Sequence, residues 1–278
     1  MRINPLLAKE LRLRMRTWHS FAAISLYLLV LGGFGVLFLY GTFSSAGLMY
    51  SDLSYMGRSA FTFLTVLQFA LILFMVPGLT ATLISSEWER QTFDLLICTQ
   101  LSPAGIVLGK LASALSMVVL LILASLPLYG FIFMIGGVSP VELFIAAAIF
   151  IAVAVVQGSL AILLSALFRK TIVSVVSSYG LAFFLTGGLP IIVALIEAIR
   201  QDAAGNIYYL LLLSPPALLE WLHPEVVQQV LASLSRGAYP WASLSFAQVS
   251  LFINLLVAAL ALALAAYRIN PLRQRRQG

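Results

Sequence analysis

The stretch VELFIAAAIFIAVAVVQGSLAILLSALF, residues 141–168, decides the fold class of this chain. Glu142, at its beginning, is the only charged residue in the stretch. A helix needs about 20 mostly apolar residues to cross the hydrocarbon core of a bilayer. The stretch therefore predicts a helix that spans a membrane.

Five further apolar runs of the same kind flank it on both sides. Pro77 and Pro127 lie inside two of these runs, and proline is tolerated in a span when neighbouring groups satisfy the freed carbonyl. The sequence predicts an all-α, polytopic membrane protein, a single transmembrane domain over residues 1–278. Its six transmembrane helices are predicted at residues 21–40, 60–84, 106–135, 141–168, 171–196 and 246–267.

The composition excludes most other classes of protein. Hydrophobic residues make up 62% of the chain and charged residues 9%, whereas an ordinary soluble domain has about 25% charged residues. So few charges cannot cover a soluble core of this size, which argues against a soluble enzyme, a disordered protein or a nucleic-acid module. Cys98 is the single cysteine, and His19 and His223 are far apart, so no metal site is predicted.

The basic residues predict the orientation. With six spans, thirteen of the sixteen Lys and Arg residues fall on the side that holds both termini. Positive residues are retained on the cytoplasmic side of membranes. Both termini are therefore predicted to be cytoplasmic. The net charge of +6 is interpreted as a topology signal and a contact for anionic lipids, and not as a nucleic-acid surface.

Two segments outside the spans have their own patterns. Residues 4–18 begin with Asn4 and Pro5, which suit a helix start, and predict an interfacial helix with a basic stripe. The alternative is a flexible basic tail.

Residues 200–245 are too long for an ordinary connection. The apolar run 207–213 is too short to span, so we expect an outer loop with re-entrant or interfacial elements.

The connection between the second and third runs is amphipathic. Glu87, Arg90, Gln91 and Asp94 share one face if the segment is helical. Such a segment is too short to cross a membrane, so it lies against lipid headgroups or against another protein. The pattern alone leaves a plain interfacial connector and a docking element equally open.

Motifs for catalysis and for nucleotide binding are missing. The nearest match to a phosphate-binding loop, residues 105–111, is one residue short, and Leu111 cannot coordinate magnesium. Lys110 is expected to extend to the cytoplasmic interface instead. No catalytic residues are predicted, and the mid-span polar groups are neutral, so energy for any transport against a gradient would come from a partner.

The segment SSEWERQTFDLLICTQLSPAGIVLGK, residues 85–110, resembles the link between the second and third spans of type-2 ATP-binding-cassette (ABC) transporter permeases. The opening NPLLAKELRLRMR, residues 4–16, and the turn GGVSP, residues 136–140, are similar to that family as well. Two departures are Gln100, where the family often has proline, and Gln91, where glycine is common.

The resemblance implies a permease subunit of an ATP-driven exporter in a bacterial inner membrane, with a coupling helix at residues 87–101. This helix would dock on a separate ABC ATPase subunit, which would use ATP and magnesium, and a second permease, identical or different, would complete the pathway. Gln68 and Thr186, Gly187 and Gly188 would line the substrate path. The implied coupling residues are Glu87, Glu89, Arg90, Gln91, Thr92, Phe93, Asp94, Leu95 and Leu96.

Three alternatives remain. One is a non-transporting membrane scaffold or assembly factor derived from this family. The second is an intramembrane lipid-modifying enzyme, against which the missing intramembrane acids and histidines count. The third is a secondary carrier, for which no inverted repeat is visible.

Overall fold

The computed structural model describes residues 18–45, 53–91, 102–200, 207–223 and 246–269, and the regular secondary structure in them is helical throughout. The predicted interfacial helix at residues 4–18 lies almost wholly outside these ranges. Two 3₁₀ helices, Ile207–Leu213 and Pro215–Trp221, precede the last helix. The α-helices are α1 (Trp18–Ser45), α2 (Leu53–Thr80), α3 (Ser85–Glu89), α4 (Pro103–Ile135), α5 (Pro140–Leu167), α6 (Thr171–Phe183), α7 (Leu189–Arg200) and α8 (Phe246–Ile269).

In the described part of the chain, six helical stretches are long and apolar enough to cross a membrane, as predicted. Pro77 lies inside α2 and Pro127 inside α4, and neither ends its helix. The fifth stretch is α6 and α7 joined by a π-helical segment, Phe184–Gly188. The stretches are Phe21–Thr42, Leu53–Glu89, Pro103–Ile135, Pro140–Leu167, Thr171–Ile196 and Phe246–Ile269. They are what a multi-pass membrane protein requires.

Serine residues set the beginnings of α4 and α5. The Ser102 hydroxyl accepts a hydrogen bond from the backbone N–H of Gly105 at 3.2 Å. The Ser139 hydroxyl accepts one from the N–H of Val141 at 3.3 Å. In each case proline follows the serine as the first helical residue, a position that needs no N–H donor. The sequence therefore marks these two helix starts locally.

The chain divides into two compact units. The first comprises residues 1–75 and 112–154. Inside it, the fully buried Gln68 amide donates to the Ser125 hydroxyl at 3.0 Å and accepts from the Tyr129 hydroxyl. The Phe61 ring packs edge-on against the Tyr129 ring at 5.8 Å. Neutral polar groups in this unit thus join α2 to α4, as polar side chains between apolar helices commonly do.

Helix α2 begins at Leu53, before Ala60, the predicted start of the second span, and it includes the ion-paired Arg58. Arg58 donates to both carboxylate oxygens of Glu142 at 2.8 and 2.7 Å. The pair balances the charge of Arg58, which lies outside the predicted span. The same pair joins α2 to the first turn of α5.

The turn after α4 needs its two glycines. Gly136 and Gly137 have φ values of 102° and 84°, in the left-handed region that glycine adopts without strain. A Cβ on Gly137 would lie 2.1 Å from the Ser54 carbonyl oxygen, and a Cβ on Gly57 would lie 1.9 Å from that of Gly136. The backbone of this turn therefore packs directly against the beginning of α2.

The second unit comprises residues 76–111 and 155–278. In it, the two 3₁₀ helices pack against α8. The Leu212 carbonyl accepts hydrogen bonds from the Ser250 hydroxyl and the Asn254 amide, both at 2.9 Å. Glu220 accepts a hydrogen bond from the N–H of Ala247 in the first turn of α8 at 2.8 Å. The described part of the predicted outer loop is therefore ordered helical structure.

Candidate functional site

The turn between α2 and α3, residues 81–84, is the centre of a dense hydrogen-bond network in the second unit. Helix α3 has one and a half turns and ends at Glu89. The N–H of Arg90 then donates to the Ser86 carbonyl at 3.0 Å, and that of Gln91 to the Trp88 carbonyl at 3.2 Å. Gln91 has a φ of 57°, so the chain leaves the helix in a left-handed residue, a common helix ending.

This ending bears on one prediction. A coupling helix was expected from residue 87 to about residue 101, with Glu87 and Gln91 on one face. The described helix ends at Glu89, and a residue at φ 57° does not continue a right-handed helix, so the predicted helix is not confirmed at residues 90 and 91. The remaining predicted coupling residues lie outside the described part of the chain: Thr92, Phe93, Asp94, Leu95 and Leu96.

Ser165, near the end of α5, holds the beginning of α3. Its buried hydroxyl accepts hydrogen bonds from the backbone N–H groups of Ile84 at 3.0 Å and of Ser85 at 2.9 Å. The first N–H groups of a helix have no partner within the helix. Ser165, a residue of another helix, therefore caps α3, because the side chain of Ile84 has no hydrogen-bond acceptor.

Carbonyl groups in the turn are satisfied in the same way from other helices. The Ser174 hydroxyl, in α6, donates to the Ala81 carbonyl at 2.6 Å. The ammonium group of Lys110, in α4, donates to the Leu83 carbonyl at 2.7 Å. Buried backbone groups are costly when unpaired, so these side chains are what permits the turn to be buried.

Lys110 also forms an ion pair with Glu87 of α3, at 2.6 Å between Nζ and Oε1. Lys110 is only 3% exposed. The expectation that this side chain extends to the membrane surface is therefore wrong. A buried ammonium group needs acceptors nearby, and residues 83 and 87 supply a carbonyl and a carboxylate.

The end of α3 is joined to the beginning of α6. The Glu89 carboxylate accepts hydrogen bonds from both the N–H and the hydroxyl of Thr171, the first residue of α6. A carboxylate is favourable at a helix N-terminus, where unpaired N–H groups point outward. The Arg169 guanidinium lies over the Trp88 ring at 5.1 Å from its centre, a cation–π contact.

Together these contacts tie α3 to three long helices: to α4 through Lys110, to α5 through Ser165 and to α6 through Thr171. Glu89, Arg90 and Gln91 are at the same time exposed. Polar groups from other helices thus hold the short helix α3 in place. Its exposed end is accessible to another protein.

The predicted substrate-path residues fall in different units. Gln68 lies in the first unit, where both ends of its amide are bonded to neighbouring side chains. Thr186, Gly187 and Gly188 lie in the second unit, at the end of the π-helical segment, and are half-buried. The Thr186 hydroxyl donates to the Ala182 carbonyl, one turn earlier in the same helix.

Sequence reasoning missed four residues of this network: Ser165, Arg169, Thr171 and Ser174. A lysine within an apolar stretch is the one signal that was present, since a charge that deep in a span needs partners. Serine and threonine in apolar helices usually bond to their own helix, so their sequence positions give no warning of contacts to other helices.

A scan of protein-family models finds none that matches this chain, and a search of curated proteins finds no match either. The assignment of a function therefore depends on the chain's own residues.

Proposed function

We propose that this chain is the permease subunit of an ATP-driven ABC exporter of the type-2 class, forming half of a transmembrane pathway. The observation that carries the proposal is the position of α3. It lies at the end of the second apolar stretch and before the third, close to where the family that the sequence resembles has its coupling helix, and it is bonded to three other helices. A displacement of α3 would also displace these three helices, because each contact is a direct hydrogen bond or ion pair.

The proposal assigns the exposed end of α3 to a cytoplasmic ABC ATPase subunit. Glu89 and Arg90 are exposed, with opposite charges side by side, and Gln91 directs the chain out of the helix. In the proposed mechanism the ATPase binds ATP and magnesium, this chain binds neither, and nucleotide-driven closure displaces α3. Thr92 to Leu96, which follow directly, would complete the contact.

A second permease, identical or different, would complete the pathway in a bacterial inner membrane, with both termini in the cytoplasm. The thirteen-to-three distribution of basic residues supports that orientation. For the substrate path, the π-helical segment supports Thr186 to Gly188, because such segments are frequent at functional sites. The hydrogen bonds at both ends of the Gln68 amide favour a structural role for that residue.

Co-purification from native membranes in a mild detergent tests the proposal. We expect a stoichiometric partner with a phosphate-binding loop, whose ATP hydrolysis requires this chain. The double variant Glu89→Lys with Asp94→Lys should release that partner while the six spans stay folded.

Glu89→Lys also removes the contact with Thr171, so the matched control is Thr171→Val. This variant loses the hydroxyl donor but leaves the surface charge of Glu89 in place. It should retain the partner. Purification of the chain without any ATPase would contradict the proposal and favour a scaffold, and so would full ATPase binding by the double variant.

A further inference from the structure

The connection between α5 and α6 consists of residues 168–170 and joins two stretches that are long and apolar enough to cross a membrane. Three residues extend over at most about 10 Å, and a chain that turns back reaches about half of that distance. The headgroup layer on each side of a bilayer is about 5–7 Å thick. Leu167 and Ile172, on either side of the connection, are apolar and are 42% and 77% exposed, so they face hydrocarbon. The connection therefore lies in the headgroup layer.

Two exposed cations occupy this connection, Arg169 and Lys170. In the part of the chain that the structure describes, neither forms an ion pair with an acidic side chain. The Glu89 carboxylate lies close enough to be attracted by Lys170, but it is bonded to the N–H and the hydroxyl of Thr171. Since Glu89 balances only one of the two positive charges, the connection keeps a net positive charge that can attract an anion from outside the chain.

Arg169 is held in place by Trp88. Its guanidinium carbon lies 5.1 Å from the centre of the indole ring. A cation–π contact restrains the guanidinium but takes up none of its five N–H donors, and their fork matches two oxygens of one phosphate. Tryptophan is itself typical of the layer between hydrocarbon and water. A positioned guanidinium and a neighbouring ammonium group thus lie at the depth of lipid phosphates.

We propose that Arg169, Lys170 and Trp88 form a binding site for one anionic phospholipid, whose phosphate accepts hydrogen bonds from the guanidinium and pairs with the ammonium group. The exposed apolar side chains on both sides of the connection favour a lipid over a protein partner, because the ligand there needs hydrocarbon attached to its phosphate. An anionic headgroup is favoured over a zwitterionic one, since each basic residue near the surface strengthens the attraction roughly fivefold. The site does not depend on the proposed transport function.

A matched pair of single substitutions separates this site from general charge attraction. Arg169→Gln removes one positive charge and the fork of donors, but it leaves the bond between Glu89 and Thr171 in place. Arg268→Gln removes the same charge from the last turn of α8, where Arg268 is exposed and is predicted to lie on the same side of the membrane. Arg169→Lys keeps the charge and loses only the fork.

The experiment uses the full chain in phosphatidylcholine nanodiscs that contain a trace of a photoreactive lipid. In one preparation this lipid is a phosphatidylglycerol and in the other a phosphatidylcholine, each with a diazirine close to the ester of one acyl chain. After illumination, mass spectrometry measures the labelling of residues 167–173 and, as the reference, of residues 264–268 around Arg268. The ratio of phosphatidylglycerol to phosphatidylcholine labelling reports the preference for an anionic headgroup at each place.

We expect this ratio at residues 167–173 to exceed the reference ratio at least about fivefold, because two cations act there in place of one. Arg169→Gln should lower it to the reference level and Arg169→Lys should lower it in part, whereas Arg268→Gln should leave it unchanged. An excess of unlabelled phosphatidylglycerol should suppress the labelling, and inorganic phosphate should not.

Equal ratios at the connection and at the reference in the native chain would overturn the proposal. So would an unchanged ratio in Arg169→Gln, or a native ratio in Arg169→Lys, which would show general charge attraction in place of a site. Suppression by inorganic phosphate would identify a site for free phosphate and not for a lipid. A photoreactive residue at position 170 that forms adducts with a protein and none with lipid in native membranes would assign the surface to a protein partner and would also overturn the proposal.

Discussion

Replacing Lys110 with methionine should destabilise the protein more than any surface substitution, because Lys110 serves two acceptors at the turn before α3. Its ammonium group donates to the Leu83 carbonyl at 2.7 Å and to Glu87 at 2.6 Å. Methionine keeps the apolar stem and its packing. The substitution therefore isolates the loss of the charge and of its hydrogen bonds.

The magnitude follows from burial. A buried carbonyl left without its donor costs about 1–3 kcal/mol. Breaking a fully buried ion pair costs about 3–5 kcal/mol, but the Glu87 side chain is 23% exposed and keeps part of its hydration. We therefore expect a total loss of about 2–4 kcal/mol. At roughly 2–4 °C per kcal/mol, the melting temperature should fall by about 5–15 °C.

Thermal melting of the purified chain in one detergent measures this loss, with Lys170→Met as the control. Lys170 is exposed, so its replacement should change stability by less than about 0.5 kcal/mol. A double-mutant cycle that combines Lys110→Met with Glu87→Gln should give a coupling energy above about 0.5 kcal/mol. Equal melting temperatures for Lys110→Met and Lys170→Met, or a cycle without coupling, would refute the reasoning.

Three further predictions concern single side chains. Ser165→Ala leaves two buried N–H groups without their acceptor and should cost about 2–4 kcal/mol in thermal melts, whereas Ser159→Ala, which breaks only a bond within its own helix, should cost much less. Gln91→Gly relieves a positive φ and should stabilise by about 1 kcal/mol; a loss of stability would contradict the helix ending. Burial raises the pKa of the Glu220 carboxyl above its ordinary value, so the native chain should lose stability as the pH rises through and above that value. Glu220→Gln, which can still accept the Ala247 N–H, should therefore gain relative to the native chain between pH 4 and pH 7, and parallel pH profiles would contradict this.

The six spans could be predicted because each is long enough to satisfy its own backbone in hydrocarbon, whatever its neighbours are. Pro77 and Pro127 were also interpreted correctly as residues inside helices. The beginning of α2 was not, because the predicted span starts at residue 60, whereas the helix begins at Leu53 and includes Arg58, which pairs with Glu142. The length of an apolar run can be read from the local sequence. Whether a charged residue lies inside a helix depends on an ion-pair partner that is distant in the sequence.

Less of the candidate site could be predicted. Glu87 and Lys110 were noted in the sequence, but their pairing depends on how α3 packs beside α4. Ser165 and Ser159 look alike in the sequence, and only one of them bonds to another helix. Gln91 is the exception. Glycine is common at this position in the family that the segment resembles, and the positive φ of Gln91 is the conformation that favours glycine.

Photo-crosslinking from position 90 tests the central claim, that the exposed end of α3 contacts an ATPase, most directly. A photoreactive phenylalanine analogue would replace Arg90 in native membranes, with the same analogue at exposed Leu210, in the predicted outer segment, as the control. The account predicts an adduct with a soluble subunit that has a phosphate-binding loop from position 90 and none from position 210. No adduct from position 90, or adducts with lipid alone, would contradict it.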